Sequence, residues 1–172
     1  MKPPAAAILF LGLAVALAST FLGWQAFPEK MASHFNAAGV ADGWMNRTSF
    51  VAIMLAVGLS IPAFILTLLY CVRFLRPQVL NLPNPAYWMA PENYRRASEI
   101  LFRSALVFAG GFLLWQAAFL QLIVKANQTQ PPALDPAKAF LFTAILLVFS
   151  LAWVVALIFR FMRTGPPAET RS

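Results

Sequence analysis

Charge is what this chain lacks most. Of its 172 residues 11% are charged, 60% are hydrophobic and only six are acidic. A soluble domain carries about 25% charged residues, so this chain cannot clothe a water-facing globule of its size. It holds a single cysteine, Cys71, and a single histidine, His34. One cysteine excludes an internal disulfide and a cysteine-built zinc cluster. Cys71 is expected only to pack near the end of an apolar run. Tandem repeats are lacking too, and the polar segments are too short for a separate soluble domain.

What the chain has instead is long apolar runs. Four are read, over about residues 5–27, 50–72, 104–124 and 139–159, none with Lys, Arg, Asp, Glu or His in its interior. A bilayer core about 30 Å thick needs about 20 apolar residues per helix. Barrel strands would alternate and be about half as long. The fold class expected is therefore all-α, an integral membrane four-helix bundle in one domain over residues 1–163, with a flexible tail over 164–172. The start, Met1-Lys2 and then AAAILFLGLAVALA, has the look of a signal peptide, with Ala16 and Ala18 at cleavage-like spacing. The apolar run continues through Phe21, Leu22, Trp24 and Phe27, which favours an uncleaved first helix. Pro62 is expected to kink the second span. Gly110-Gly111 allows a close helix approach in the third, and Gln116 and Gln121 need partners inside the bundle.

The few charges are unevenly placed. The second loop and the termini hold Lys2, Arg73, Arg76, Arg95, Arg96, Arg103, Arg160, Arg163 and Arg171, which is nine; the first and third loops hold Lys30, Arg47, Lys125 and Lys138, which is four. By the positive-inside rule both termini lie in the cytoplasm. The localisation expected is the inner, cytoplasmic membrane, multi-pass. The net charge of +7 is then a topology signal and an attraction for anionic lipid heads; no nucleic acid is expected as a partner.

The second loop reads RFLRPQVLNLPNPAYWMAPENYRRASEILFR. Its prolines Pro83, Pro85 and Pro91 predict an extended first part, with Tyr87, Trp88 and Met89 at the headgroup level. Pro91 suits the first turn of a helix. Glu92 and Arg96, Arg95 and Glu99, and Glu99 and Arg103 are each four apart and support an exposed helix running into the third span. Its Arg95 and Arg96 are candidates for lipid headgroup contact or for docking a cytoplasmic regulator. The third loop, KANQTQPPALDPAK, is short and unpatterned. Asn46-Arg47-Thr48 and Asn127-Gln128-Thr129 match the glycosylation acceptor pattern, which has meaning only in a glycosylating pathway. Both are read as chance matches.

The first loop, FPEKMASHFNAAGVADGWMNRTSF, is the most specific polar stretch. Pro28 is expected to start a helical turn, with Met31 and Phe35 on one apolar face along the membrane surface. Asn36 and Gly39 make turn chemistry, Asp42-Gly43 a second tight turn, Trp44 an interface anchor, and Thr48 or Ser49 the N-cap of span two. His34, Asp42 and Glu29 are a thin metal set, so no metal is expected. A His–Asp pair without a nucleophile other than Ser33 gives no catalytic residue, and no cofactor is implied. A pH sensor is chemically open, as is a folded cap that binds an outside ligand through His34, Asn36, Gly39, Asp42 and Trp44.

The pattern of Pro28, His34-Phe35-Asn36, Gly39, Asp42 and Trp44 resembles a small bacterial membrane domain of unknown function, which also forms the N-terminal part of SdpI-like immunity proteins. NLPNPAYWMAPENYRR looks like the segment that follows in four-helix members, so the resemblance spans about residues 5–103. It implies protection against a secreted toxic peptide and signalling by holding a repressor at the membrane. The chain departs from those proteins in length, since they continue with a further membrane domain. Three functions stand as expectations: a non-enzymatic sensor or immunity factor whose outer loop binds an envelope ligand or peptide; an accessory subunit of a larger membrane complex; and a small transporter or metal-dependent membrane enzyme. The last is disfavoured, because such proteins place ionisable groups inside their spans.

Overall fold

The computed structural model describes residues 4–163; the tail expected to be flexible, 164–172, lies outside them. Five α-helices and one hairpin are seen: α1 (Pro4–Phe21), β1 (Lys30–Phe35), β2 (Ala41–Asn46), α2 (Arg47–Cys71), the one-turn α3 (Pro85–Trp88), α4 (Pro91–Asn127) and α5 (Pro136–Met162). Four of the helices are long and apolar enough to cross a membrane. The fold is the expected all-α membrane bundle with one small β addition.

α4 is the axle. Its 37 residues make a rod about 55 Å long at 1.5 Å per residue, well beyond the ~30 Å hydrocarbon core. The basic segment therefore does continue into the third span as one helix. Among its charge pairs only Arg95–Glu99 closes, at 3.6 Å. Glu92–Arg96 and Glu99–Arg103 do not, because exposed side chains gain little by fixing one geometry.

The other long helices pack on α4. Backbones of α1 and α4 meet at glycines, where a Cβ on Gly12 would lie 2.5 Å from the Gly110 carbonyl oxygen and one on Gly110 2.5 Å from that of Ile8. Such contact needs small residues. Gly58 of α2 makes room for Gln116 of α4, whose Nε2 donates to the Met54 carbonyl at 2.6 Å. Gln121, by contrast, is exposed, so only one of the two glutamines binds the helices together. α5 is held along a seam of aromatics. Phe108 lies 5.5 Å from Phe149 and 4.8 Å from Trp153 between ring centres, and the indoles of Trp115 and Trp153 donate across the seam to the carbonyls of Phe142 and Ser104.

The two ends of the bundle differ. At the hairpin end, Phe27, Met31, Phe50, Leu120, Ile123 and Val124 form a buried cluster. At the arginine end, Val72, Trp88, Ala97, Leu101 and Phe161 form another. The second loop is less extended than its prolines suggest, with a 3-10 turn at Pro77–Val79 before α3. Trp88 does not face outward as an exposed anchor would. It is 1% exposed and donates its indole N–H to the Phe161 carbonyl at 2.7 Å. Asn84, at φ 53°, donates to the Met162 carbonyl at 2.7 Å. These two side chains satisfy carbonyls that the end of α5 leaves without helical partners. After α2 the Tyr94 hydroxyl shares its one proton between the carbonyls of Val72 and Leu75, at 2.6 and 3.0 Å.

Candidate functional site

The first loop is not a surface helix. It is an antiparallel hairpin pairing Lys30 with Asn46, Met31 with Met45, Ala32 with Trp44, His34 with Gly43 and Phe35 with Ala41. Residues four apart share a face in a helix and in a strand alike. Met31 and Phe35 do point the same way, into the cluster at the bundle mouth, but from β1. Burying a Met or Phe stabilises by about 1.5–3 kcal/mol relative to water, which fastens the hairpin as a plug.

The tip behaves as its residues suggest. The side-chain oxygen of Asn36 accepts from the backbone N–H groups of Ala38 and Val40, each at 3.0 Å. Gly39 takes φ +79°, a conformation open chiefly to glycine. A side chain there would also collide with the carbonyl of Leu134, whose N–H donates to the Gly39 carbonyl at 2.8 Å. The third loop is thus not unpatterned. Val40 and Ala133 form a bridge across it, and Asp135 ends it by capping α5.

Asp42-Gly43 is not a second turn; both residues lie in β2. The register shifts around His34, which leaves Asp42 to reach along the strand. His34 Nδ1 and Asp42 Oδ1 stand 2.5 Å apart, with side chains 72% and 45% exposed. Gly43 is required by this arrangement, since a Cβ on it would sit 2.8 Å from that of His34. Trp44 is exposed on the same hairpin, with the Lys30 ammonium 5.3 Å from its ring centre. Of the five candidate ligand residues, His34 and Asp42 are brought together and offer a joint donor and acceptor to solvent. Asn36 and Gly39 shape the tip, and Trp44 adds an aromatic face beside it. Ser33 and Glu29 do not bond the pair. No group of three His, Cys, Asp or Glu among the described residues is placed to hold a metal ion.

Three residues that hold the site went unrecognised in the sequence. Asn127, 6% exposed, accepts from Ala32 N–H at 2.6 Å and donates to Ala32 C=O at 3.1 Å, so a side chain of α4 completes the outer edge of β1. Its sole sequence signal was the sequon it sits in. Arg47 donates to the carbonyls of Trp24 and Phe27 and lies 4.8 Å from the Trp24 ring. It braces the segment after α1, which ends at Phe21, short of the expected limit at 27. Asn46, not Thr48 or Ser49, caps α2 by accepting from Ser49 N–H at 2.7 Å. At the other end Arg95 and Arg96 are exposed.

The family model described as "Domain of unknown function (DUF1648)" matches residues 10–59, which run from α1 through the hairpin into α2. No curated protein and no solved structure matches the chain.

Proposed function

We propose that this chain is a non-enzymatic receptor of SdpI-like type, a sensor or immunity factor whose hairpin recognises a peptide or other envelope ligand. The observation that carries the reading is the braced hairpin. A binding site on a rigid element loses little ordering entropy on association, and here a tip, a His34–Asp42 pair and the Trp44 ring are presented on a frame fixed by Asn127, Leu134 and the apolar plug. The distribution of arginines supports both termini in the cytoplasm, with the hairpin facing outward in the inner membrane. Arg95 and Arg96 on the protruding part of α4 would then meet a cytoplasmic regulator.

The pair can be tested without disturbing the frame. H34Q/D42N keeps Asn36, Gly39 and Gly43 in place. A host strain lacking the gene is expected to survive spent medium from toxin-secreting neighbours when complemented by the wild-type chain. It should fail with H34Q/D42N inserted to the same level. Equal survival would sink the reading.

A second reading, an accessory subunit of a larger membrane complex, is favoured by α5, whose most apolar stretch has none of its residues buried within the chain. Stoichiometric partners on mild-detergent purification support it, and a monodisperse lone chain argues against it.

A further inference from the structure

α4 and α5 touch along their middles and part towards their ends. At the arginine end the gap is a groove of about 360 Å³, whose walls include Ile100, Trp153, Ala156 and Leu157 and whose charged residues are Arg103 and Arg160. Trp153 closes its floor by donating to the Ser104 carbonyl at 3.0 Å. A smaller hollow beside it shares Ala156 and Arg160 and adds Arg163.

Arg73 and Arg95 have other work. The Arg73 guanidinium lies 3.9 Å from the Tyr70 ring centre and donates to the Tyr70 carbonyl, and Arg95 pairs with Glu99. Arg103 and Arg160 are both exposed, and neither ion-pairs with a carboxylate among the described residues. Nor does the end of α5 depend on Arg160, because the Phe161 and Met162 carbonyls already accept from Trp88 and Asn84. Two cations thus stand at the end of an apolar slot between membrane-crossing helices. Basic pockets between such helices suit anionic lipid heads. An amphiphile with a phosphate head and an acyl chain matches both parts of the slot at once.

The groove at the hairpin end is a natural control. It is also large, about 460 Å³, and is lined by Gln121, Lys125, Asp135 and Lys138 among others. There Asp135 pairs with Lys138 at 3.5 Å, which halves the positive charge and places a carboxylate where a phosphate would sit.

We infer that the Arg103–Arg160 groove is a binding site for one anionic phospholipid, its headgroup phosphate held by the two guanidinium groups and one acyl chain lying against Trp153, Ala156 and Leu157. The full chain would be placed in nanodiscs of phosphatidylcholine and phosphatidylglycerol in equal parts, released, and weighed intact with its retained lipid. Wild type should retain phosphatidylglycerol over phosphatidylcholine. R103Q/R160Q should lower that retention about 30-fold, as expected for two cations facing an anionic head, while K125Q/K138Q should leave it unchanged. Equal retention by wild type and R103Q/R160Q, or no preference between the lipids in wild type, overturns the site. If R103Q/R160Q does not fold, A156W decides, since it fills the slot and leaves both arginines: loss of the lipid supports the groove, and undiminished retention reduces it to surface charge and refutes it. Displacement of the lipid by inorganic phosphate alone would show a free-anion site and overturn the lipid assignment.

Discussion

Replacing Asn127 by alanine should loosen the outer edge of β1 without unfolding the helices. Ala32 is wholly buried, and its N–H and C=O point away from β2 to the Asn127 side chain at 2.6 and 3.1 Å. Removing that side chain strands two buried backbone groups, each worth about 1–3 kcal/mol when unpaired. Water can enter part of the space left behind, so the lower half of the sum applies, about 2–4 kcal/mol. The loss falls on local opening of β1, because Met31 and Phe35 plug the bundle independently of it. At about 1.4 kcal/mol per tenfold, the Ala32 amide should exchange with deuterium roughly 30- to 1,000-fold faster. The assay is peptide-resolved hydrogen exchange on the full chain in nanodiscs, with the middle of α4 as the internal standard. Unchanged exchange at Ala32 would refute the clamp. An equal rise in every helix would refute its confinement to the hairpin.

Other perturbations probe the remaining joints. G110A drives a methyl group into the Ile8 carbonyl and should cost about 1–3 kcal/mol of overpacking, read as a lower melting temperature in detergent. W88F removes the indole donor to the Phe161 carbonyl, costs about 1 kcal/mol, and should speed tryptic cleavage at Arg160 and Arg163. The Asp135 carboxyl is held below its usual range, chiefly by the backbone N–H of Lys138. A depressed carboxylate stabilises fully above its unfolded value and loses that contribution as pH falls through the folded one. The start of α5 should therefore loosen only below the ordinary carboxylate range, seen as faster exchange at Ala137 and Lys138. D135N, which caps as well, should abolish that pH dependence.

The membrane helices were legible because a span advertises itself over some twenty residues, and the Glu and Arg spacing announced the extension of α4. The hairpin was not, for three separable reasons. Met31 and Phe35 are spaced alike for helix and strand. Asp42-Gly43 carries a turn dipeptide, yet Gly43 is there to make room for His34. The residue that stabilises β1, Asn127, lies 95 positions away, beyond the reach of any local pattern. Trp88 misled in the same manner: an aromatic near a membrane end suggests an interface anchor, and only the arrival of Phe161 shows it to be a clasp. The pairing of His34 with Asp42 was open to chemistry but not to spacing, since it depends on the register shift between them.

The span from Ala32 to Asn127 has a bearing on biogenesis. Chains are made N-terminus first, so α1, the hairpin and α2 leave the ribosome before the third span exists. Gly12, Gly58 and the open edge of β1 have no partner at that stage, because all three are met by α4. The nascent protein therefore passes through a two-span intermediate with an unfinished hairpin. Its maturation is timed by the insertion of α4 rather than by the synthesis of the hairpin itself.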